Sequence, residues 1–321
     1  MSKLLTNLSA EPDAVIYGWL EKADALRHAK RVVSLPDTCP GKSPLPTGTA
    51  YLTDTPNWRR FALSDVGCGM TLVRTKLTLD DIETDAFRNT WDKLADVLAD
   101  RRNQGLGDLG SGNHFLDAAA SMTDGSIVLL MHTGSRKESG LVDDLVDTPV
   151  EFDREFTRIR TWAADNRAAV LDIAAKHVGA FIPITPGVDK IDRDHNHTEQ
   201  TPDGTLIRKG TQCVQPGELA VIPSNLLDDI ALVRATDRVA TIENCLPHGT
   251  GRTMSRSDAK RVAFNFGQLR GQVYIPARIA DASLRTESPN CYRKLDDALA
   301  LMAGYLDVVE RFTPVAYIGQ L

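Results

Sequence analysis

Five of the seven histidines in this chain stand in short motifs rich in Gly, Asn and Asp. The motifs are DVGCGM at 65–70, GNHF at 112–115, HTGSR at 132–136, DHNH at 194–197 and PHGTGR at 247–252. Only His28 and His177 lie outside them. Imidazole, thiolate and carboxylate ligands together suit a borderline transition metal better than magnesium or calcium. The first reading is therefore a metal-dependent enzyme with one ion and room for a second. Asp65 and Cys68, three residues apart in a Gly-rich turn, can reach one metal, or the thiolate can bridge two. Binding would deprotonate the thiol. A buried structural cysteine is the plainer alternative; the flanking glycines speak against it, because a turn exposes what a core hides. His114 and His132 border apolar runs, and each alone reads as an ordinary satisfied histidine. His197 beside His195 and Asn196 does not make a nuclease motif, whose three residues stand far apart.

His248 suggests different chemistry. It lies in a Gly-flanked loop before a helix start, with Arg252 close by. A neutral imidazole can attack phosphorus and form a phosphoramidate, while Arg252 neutralises phosphate oxygens. The plain alternative is a helix-entry loop without chemistry. Two phosphate-loop look-alikes are set aside. Gly41-Lys42-Ser43 has Pro36 where the first glycine belongs. GLGDLG at 105–110 follows a polar run rather than a strand, so dinucleotide binding is not expected. The KxDG signature of lysine-nucleophile ligases is absent.

The elements that must position these residues follow from apolar periodicity. Helices are predicted over 79–102, 149–177, 255–269 and 292–312, the third opening on the N-cap candidate Ser255. Short apolar runs predict strands at 31–35, 50–52, 71–76, 127–131, 189–191, 219–222, 239–242 and 273–275. No repeat or linker-like segment interrupts them, and the motif residues span 65 to 248. One interwoven domain over 1–321 is the expectation, with mixed sheets around a metal site and helices outside: an α+β fold.

At 321 residues, 42% hydrophobic and 25% charged, the chain has a globular composition. A net charge of −6 argues against nucleic-acid binding by bulk charge. A local basic channel could still form from Arg252, Arg256, Lys260, Arg261 and Arg270, with a solvated helix face as the alternative. Cys39, Cys68, Cys213, Cys245 and Cys291 are odd in number and widely spaced, which suits a reducing cytosol rather than a disulfide framework. The first residues contain no apolar signal-like run, and no segment is apolar enough for a membrane span. A soluble, cytoplasmic monomer is expected.

Taken in order, VVSLPD at 32–37, DVGCGM, GSGNHF, HTGSR, RKG at 208–210 and PHGTGRTMSR at 247–256 resemble the RtcB family of RNA ligases. The resemblance runs from about residue 32 to the end, and the motif combination is highly specific. It implies an enzyme that joins an RNA 3′-phosphate or 2′,3′-cyclic phosphate to a 5′-hydroxyl with GTP and two manganese ions, in tRNA splicing or RNA repair. By the resemblance, His248 would be guanylylated and Cys68 would bridge the metals. His132 and His195 would complete one ion, Asp65 and His114 the other. Asn113, Asn196, Gly249, Gly251, Arg252 and Tyr292 would hold the nucleotide; Arg136, Lys209 and Arg256 would face the RNA. An activating protein is a further partner the resemblance allows.

The chain also departs from the family pattern. Ile318 stands where a lysine usually precedes the last glycine, and Pro223-Ser-Asn-Leu226 replaces a Pro-Gly-Ser-Met loop. Asp117 replaces a glutamate, and Cys39 a histidine. Hence two competing readings: a metal-dependent RNA-end phosphoesterase that has lost nucleotide transfer, and a non-catalytic RNA-end binder. The five retained ligand positions speak against the second.

Overall fold

The computed structural model describes residues 4–41, 43–62 and 64–321, except the side chains of Arg136 and Lys137. Lys42 of the phosphate-loop look-alike lies outside the described residues. The fold is α+β, built on two sheets and a short ribbon. The large sheet has seven strands in the spatial order Leu219–Pro223, Ile230–Ala235, Leu306–Gly319, Phe115–Ser121, Ser126–Thr133, Gly69–Thr78 and Lys190–Asp194. Every neighbouring pair in it is antiparallel. The small sheet runs Leu5–Asn7, Arg31–Cys39, Thr47–Thr53, Gly204–Lys209 and Asn196–Thr201, and only its first pair is parallel. The ribbon pairs Thr211–Cys213 with Cys245–Pro247.

Side-chain alternation along the strands serves two cores at once. Leu129 and Met131 pack with the helices on one face of the large sheet, and Val128 and Leu130 face the opposite core. The amphipathic helix Asp85–Asp100 supplies Trp91, Leu94 and Leu98 to the first core. The 30-residue helix Pro149–Val178 opens with proline in its first turn, where no amide partner is needed, and stops at Gly179 with φ +90. Its first half, through Phe152, Phe156 and Ile159, packs under the small sheet; Val170, Leu171 and Ala174 pack under the large one. One helix thereby holds both sheets.

Several predicted elements are corrected. The helix 79–102 is broken at Thr84, whose Oγ1 accepts from the Phe87 amide at 3.1 Å and starts a new helix. The helix 255–269 becomes Arg256–Ala259 and Phe266–Gln272, the second capped by Asn265. The helix 292–312 is confined to Leu295–Leu301, because Gly304 turns at φ +83 and the chain enters the strand Leu306–Gly319. Residues 239–242 lie in the 3-10 helix Asp237–Ile242, not a strand. Residues 273–275 make one isolated bridge, Tyr274 to Ala316. Among the described residues no helix is long and apolar enough to cross a membrane.

Candidate active site

The motif residues gather because four adjacent strands of the large sheet bring their ends to one edge. Cys68 precedes Gly69–Thr78, His114 precedes Phe115–Ser121, His132 ends Ser126–Thr133 and His195 follows Lys190–Asp194. The register sets Met70 and Phe115 on either side of His132, and Gly69 opposite Asp194. His195 is also the single residue between the last strand of the large sheet and the first residue of Asn196–Thr201 in the small one. Its amide donates to the Cys68 carbonyl at 2.8 Å, and its carbonyl accepts from Thr211 at 3.0 Å. The site therefore lies on the seam between the sheets.

Donor atoms converge there. Cys68 Sγ is 3.2 Å from His132 Nε2 and 3.4 Å from His114 Nε2. His132 Nε2 is 3.3 Å from His195 Nε2, and His114 Nε2 is 3.5 Å from Asp65 Oδ2. These atoms form two groups, Cys68 with His132 and His195, and Asp65 with Cys68 and His114, each within 4.8 Å. The His132 Nδ1–H donates to the Asn113 carbonyl at 2.9 Å, which leaves the Nε2 lone pair aimed inward. Asp65 Oδ1 is buried with no hydrogen-bond partner among the described residues. Buried lone pairs facing one another are costly unless a cation takes them, so the donor set fits one or two borderline transition-metal ions.

The electrostatics agree. Burial drives His132 and His195 well below the usual imidazole range, helped by the neighbouring histidines. Burial, and then Asp65, push the Cys68 thiol up. Burial also acts to raise Asp65, but its hydrogen bond to His114 and the charges of His114 and Lys209 outweigh it and hold the carboxyl low. A bound cation would favour thiolate and neutral imidazoles. The turn is shaped for this: Asp65 stands at φ +51, and a Cβ on Gly134 would meet Asp65 Oδ1 at 2.6 Å. Arg167, from the long helix, donates to the Gly67 carbonyl at 2.7 Å and to Asp192 at 2.7 Å, holding the Cys68 turn.

His248 follows the ribbon strand Cys245–Pro247 and sits beside this cluster, its ring tilted 44° to that of His195 with the centroids 4.6 Å apart. Its Nδ1 is 2.5 Å from Asp37 Oδ2 and 2.8 Å from the Gly210 carbonyl. Both partners accept, so Nδ1 carries the proton and Nε2 is left with its lone pair. Asp37 is fully buried. Gly251, at φ +77, could not bear a Cβ, which would sit 2.6 Å from Asp37 Cα.

A cavity of about 330 Å³ runs from the cluster past His248 to Tyr292 and Tyr317. At its far end Glu287 binds Arg252 at 3.3 Å, Arg256 at 3.4 Å and the Tyr292 hydroxyl. Arg252 stacks over the Tyr292 ring at 4.9 Å, and its buried Nη2 has no partner among the described residues. Asp117, on the strand facing Tyr317, has a buried Oδ1 without a partner among the described residues; burial pushes its carboxyl up.

Other expected site residues fall in less expected places. Asn196 uses both ends of its amide on backbone, donating to the Asp65 carbonyl at 3.0 Å and accepting from Gly210 at 2.9 Å. Asn113 and Gly249 line the cavity. Lys209 is buried on the Ser64 carbonyl at 2.8 Å beside Asp65 and lines the cavity. The side chain of Arg136 lies outside the described residues. His197 turns to Asp194 at 3.0 Å and joins neither donor group. Of the basic run, only Arg252 and Arg256 line the cavity; Arg270 is tied to Asp281 and two backbone carbonyls. Ile318 is buried in the core opposite Leu116, so the cavity-facing residue at this end of the chain is Tyr317. Sequence reasoning assigned no role to Asp37, Arg167 or Glu287. A lone aspartate closing the apolar run VVSLPD was a readable signal for the first; the other two carried none.

Comparison with known proteins bears on this geometry. The family model described as tRNA-splicing ligase RtcB matches residues 154–320, a little over half of the chain. That span carries His195 and His248 but begins after Cys68, His114 and His132. The chain is 22% identical over 327 aligned residues to the RNA-splicing ligase RtcB of Escherichia coli, covering 77% of this chain and 79% of that protein. It is 24% identical over 242 residues to the RNA-splicing ligase RtcB1 of another Escherichia coli strain, covering 64% of this chain and 58% of that protein. With the family match extending over more than half of its length, this chain belongs to the RtcB family.

Proposed function

We propose that this chain is an RNA ligase that joins RNA 3′-phosphate or 2′,3′-cyclic phosphate ends to 5′-hydroxyl ends, using GTP and a nucleotidyl-histidine at His248. The observation that carries this is the pairing of a buried donor cluster with an oriented histidine: His248 stands against His195 with Nδ1 bound to Asp37 and Nε2 free to attack. Both curated relatives are RNA-splicing ligases.

Two manganese ions, held by Cys68 with His132 and His195 and by Cys68 with Asp65 and His114, would bind phosphate oxygens and stabilise pyrophosphate as it leaves. The chain's own residues do the rest. His248 Nε2 attacks the α-phosphorus of GTP and the bond to pyrophosphate breaks. Asp37 keeps the Nδ1 proton in place and stabilises the positive charge that the ring acquires. Arg252 offers its unpaired Nη2 to phosphate oxygens. An oxygen of the RNA 3′-phosphate then takes the GMP from His248. The RNA 5′-hydroxyl attacks the activated 3′-phosphorus, GMP leaves and the strand is sealed.

The deciding experiment is intact-protein mass after incubation with Mn²⁺ and GTP, with ATP in parallel and His248→Ala as control. A gain of one GMP that His248→Ala abolishes is the expected result. A gain of AMP instead would keep the mechanism and change the nucleotide. No adduct with either nucleotide, in protein shown to hold manganese, would reject nucleotidyl transfer. It would favour the RNA-end phosphoesterase, whose activity should survive His248→Ala and fail in Cys68→Ala.

A further inference from the structure

Two thiols outside the donor cluster face each other across the ribbon that delivers His248. Cys213 and Cys245 are directly opposed in the antiparallel pairing of Thr211–Cys213 with Cys245–Pro247. Opposed residues in such a pair share a face. The Val214 amide donates to the Asn244 carbonyl at 2.8 Å, a bond between the residues flanking the cysteine pair. The Cys213 carbonyl points outward and accepts from Arg193 at 2.9 Å. Both bonds mark Cys213 and Cys245 as a non-hydrogen-bonded pair, the closer of the two kinds, with Cα atoms about 4.5 Å apart. Disulfides span Cα separations of roughly 4.4–6.8 Å. Both side chains are free thiols, Cys245 buried and Cys213 half-buried, so an oxidant can reach one of the two.

The ribbon leads straight to the reacting histidine. Three residues back from Cys213 is Gly210, and three residues on from Cys245 is His248; the Gly210 carbonyl accepts from His248 Nδ1 at 2.8 Å. The cysteines close one end of a two-stranded ladder whose other end holds the proposed nucleophile.

We propose that Cys213 and Cys245 are a redox-responsive dithiol that a peroxide converts to a cross-strand disulfide, stapling the ribbon that carries His248. The half-buried Cys213 thiolate attacks a peroxide oxygen; the O–O bond breaks, giving a sulfenic acid and one water. The Cys245 sulfur then attacks the sulfenic sulfur, the S–O bond breaks and a second water leaves. Two thiols are oxidised by two electrons, and one hydrogen peroxide is reduced to two waters. Burial holds both thiols above their ordinary range, Cys245 up to about 11, with the Arg208 guanidinium opposing it. Oxidation is therefore slower than at an activated thiol, and the pair answers sustained rather than brief exposure.

The disulfide is read out covalently, so its formation and nucleotidyl transfer at His248 can fail independently. The full chain is treated with excess hydrogen peroxide, denatured, alkylated with N-ethylmaleimide and mapped by peptide mass. The expected result is a dithiothreitol-reversible link between the Cys213 and Cys245 peptides, with neither residue alkylated. The oxidised wild-type chain should also resist urea better than the reduced one, a difference that Cys213→Ser, a change at a half-buried position, should remove. Full alkylation of both residues after oxidation, or a link from either to Cys39, Cys68 or Cys291 or to a second chain, would overturn it.

Discussion

The two ends of the cavity solve opposite electrostatic problems. At one end Asp65, Cys68, His114, His132 and His195 point lone pairs at one another, and the positive groups described beside them are the buried Lys209 next to Asp65 and Arg167 at the Cys68 turn. At the other, Glu287 already answers Arg252, Arg256 and the Tyr292 hydroxyl. The first end is suited to a cation that its donors would hold; the second holds its shape by itself. Asp37 and His248 stand between them, a paired group next to an unpaired cluster. The difference implies that metal content and fold stability are separable properties of one pocket, the former residing at the seam of the sheets and the latter at the far wall.

That separation can be broken most severely at Cys68, the atom both donor groups share. Cys68→Ala should leave bound manganese near zero by elemental analysis and abolish adduct formation, while the circular dichroism spectrum stays that of the parent. Retention of one ion per chain would show that the two groups are not joined through sulfur. Next comes the group between the ends. Asp37→Asn keeps the size but weakens the hold on the His248 Nδ1 proton. Adduct formation should slow by about 10²- to 10⁴-fold, the range of acid–base and tautomer-orienting effects, with metal content unchanged. An unchanged rate would remove Asp37 from the positioning of His248.

The far wall should respond in stability instead. Glu287→Gln leaves the half-buried Arg252 without its carboxylate, a loss toward the lower end of the about 3–5 kcal/mol that breaking a buried pair costs in urea unfolding. Manganese stoichiometry should not move, and if it did the two ends would be coupled. The smallest effect is expected from pH. His132 and His195 are held below their unfolded range. In chelator-treated protein the unfolded chain therefore binds more protons once pH falls through about 6.5. Stability is intact above that value and lost below it, by about 2–3 kcal/mol for the two rings between pH 7.5 and 5.5. Asp65, held low, adds its own loss only below about pH 4, where the unfolded carboxyl takes up a proton. Manganese should flatten the first of these losses. A metal-free chain equally stable at pH 5.5 and 7.5 would refute the buried neutral histidines.

Sequence reading succeeded where chemistry is concentrated in short words. Gly-rich turns around Asp65, Cys68, His114, His132, His195 and His248 stood out because loops tolerate what cores do not, and the structure gathers these residues at one place. It failed where function depends on pairing over distance. Glu287 gives no sign in sequence that it will meet Arg252, and Arg167 lies within an ordinary amphipathic helix. Tyr317 and Ile318 are the sharpest case. As letters they are neighbours at the chain's end, and the departure from the family pattern falls on Ile318. In the sheet they point to opposite faces, so Tyr317 enters the cavity while Ile318 fills the core. The helix over 292–312 failed for a related reason: Leu306 continues the helical spacing, but a turn at Gly304 and six paired positions with the strand Ile230–Ala235 outweigh local preference.

Residue types and their local backbone needs could be read from the chain alone: soft donors beside glycine, an imidazole in a flexible loop, apolar stripes long enough to build helices. Those follow from chemistry within a few bonds. Which atoms meet was settled by strand order, register and face. Cys68 meets His132 because their strands pair with Met70 opposite His132, and His248 meets Asp37 across 211 residues of chain. Shifting a strand by one residue would turn each of these side chains to the other face, and nothing within a single motif states that register.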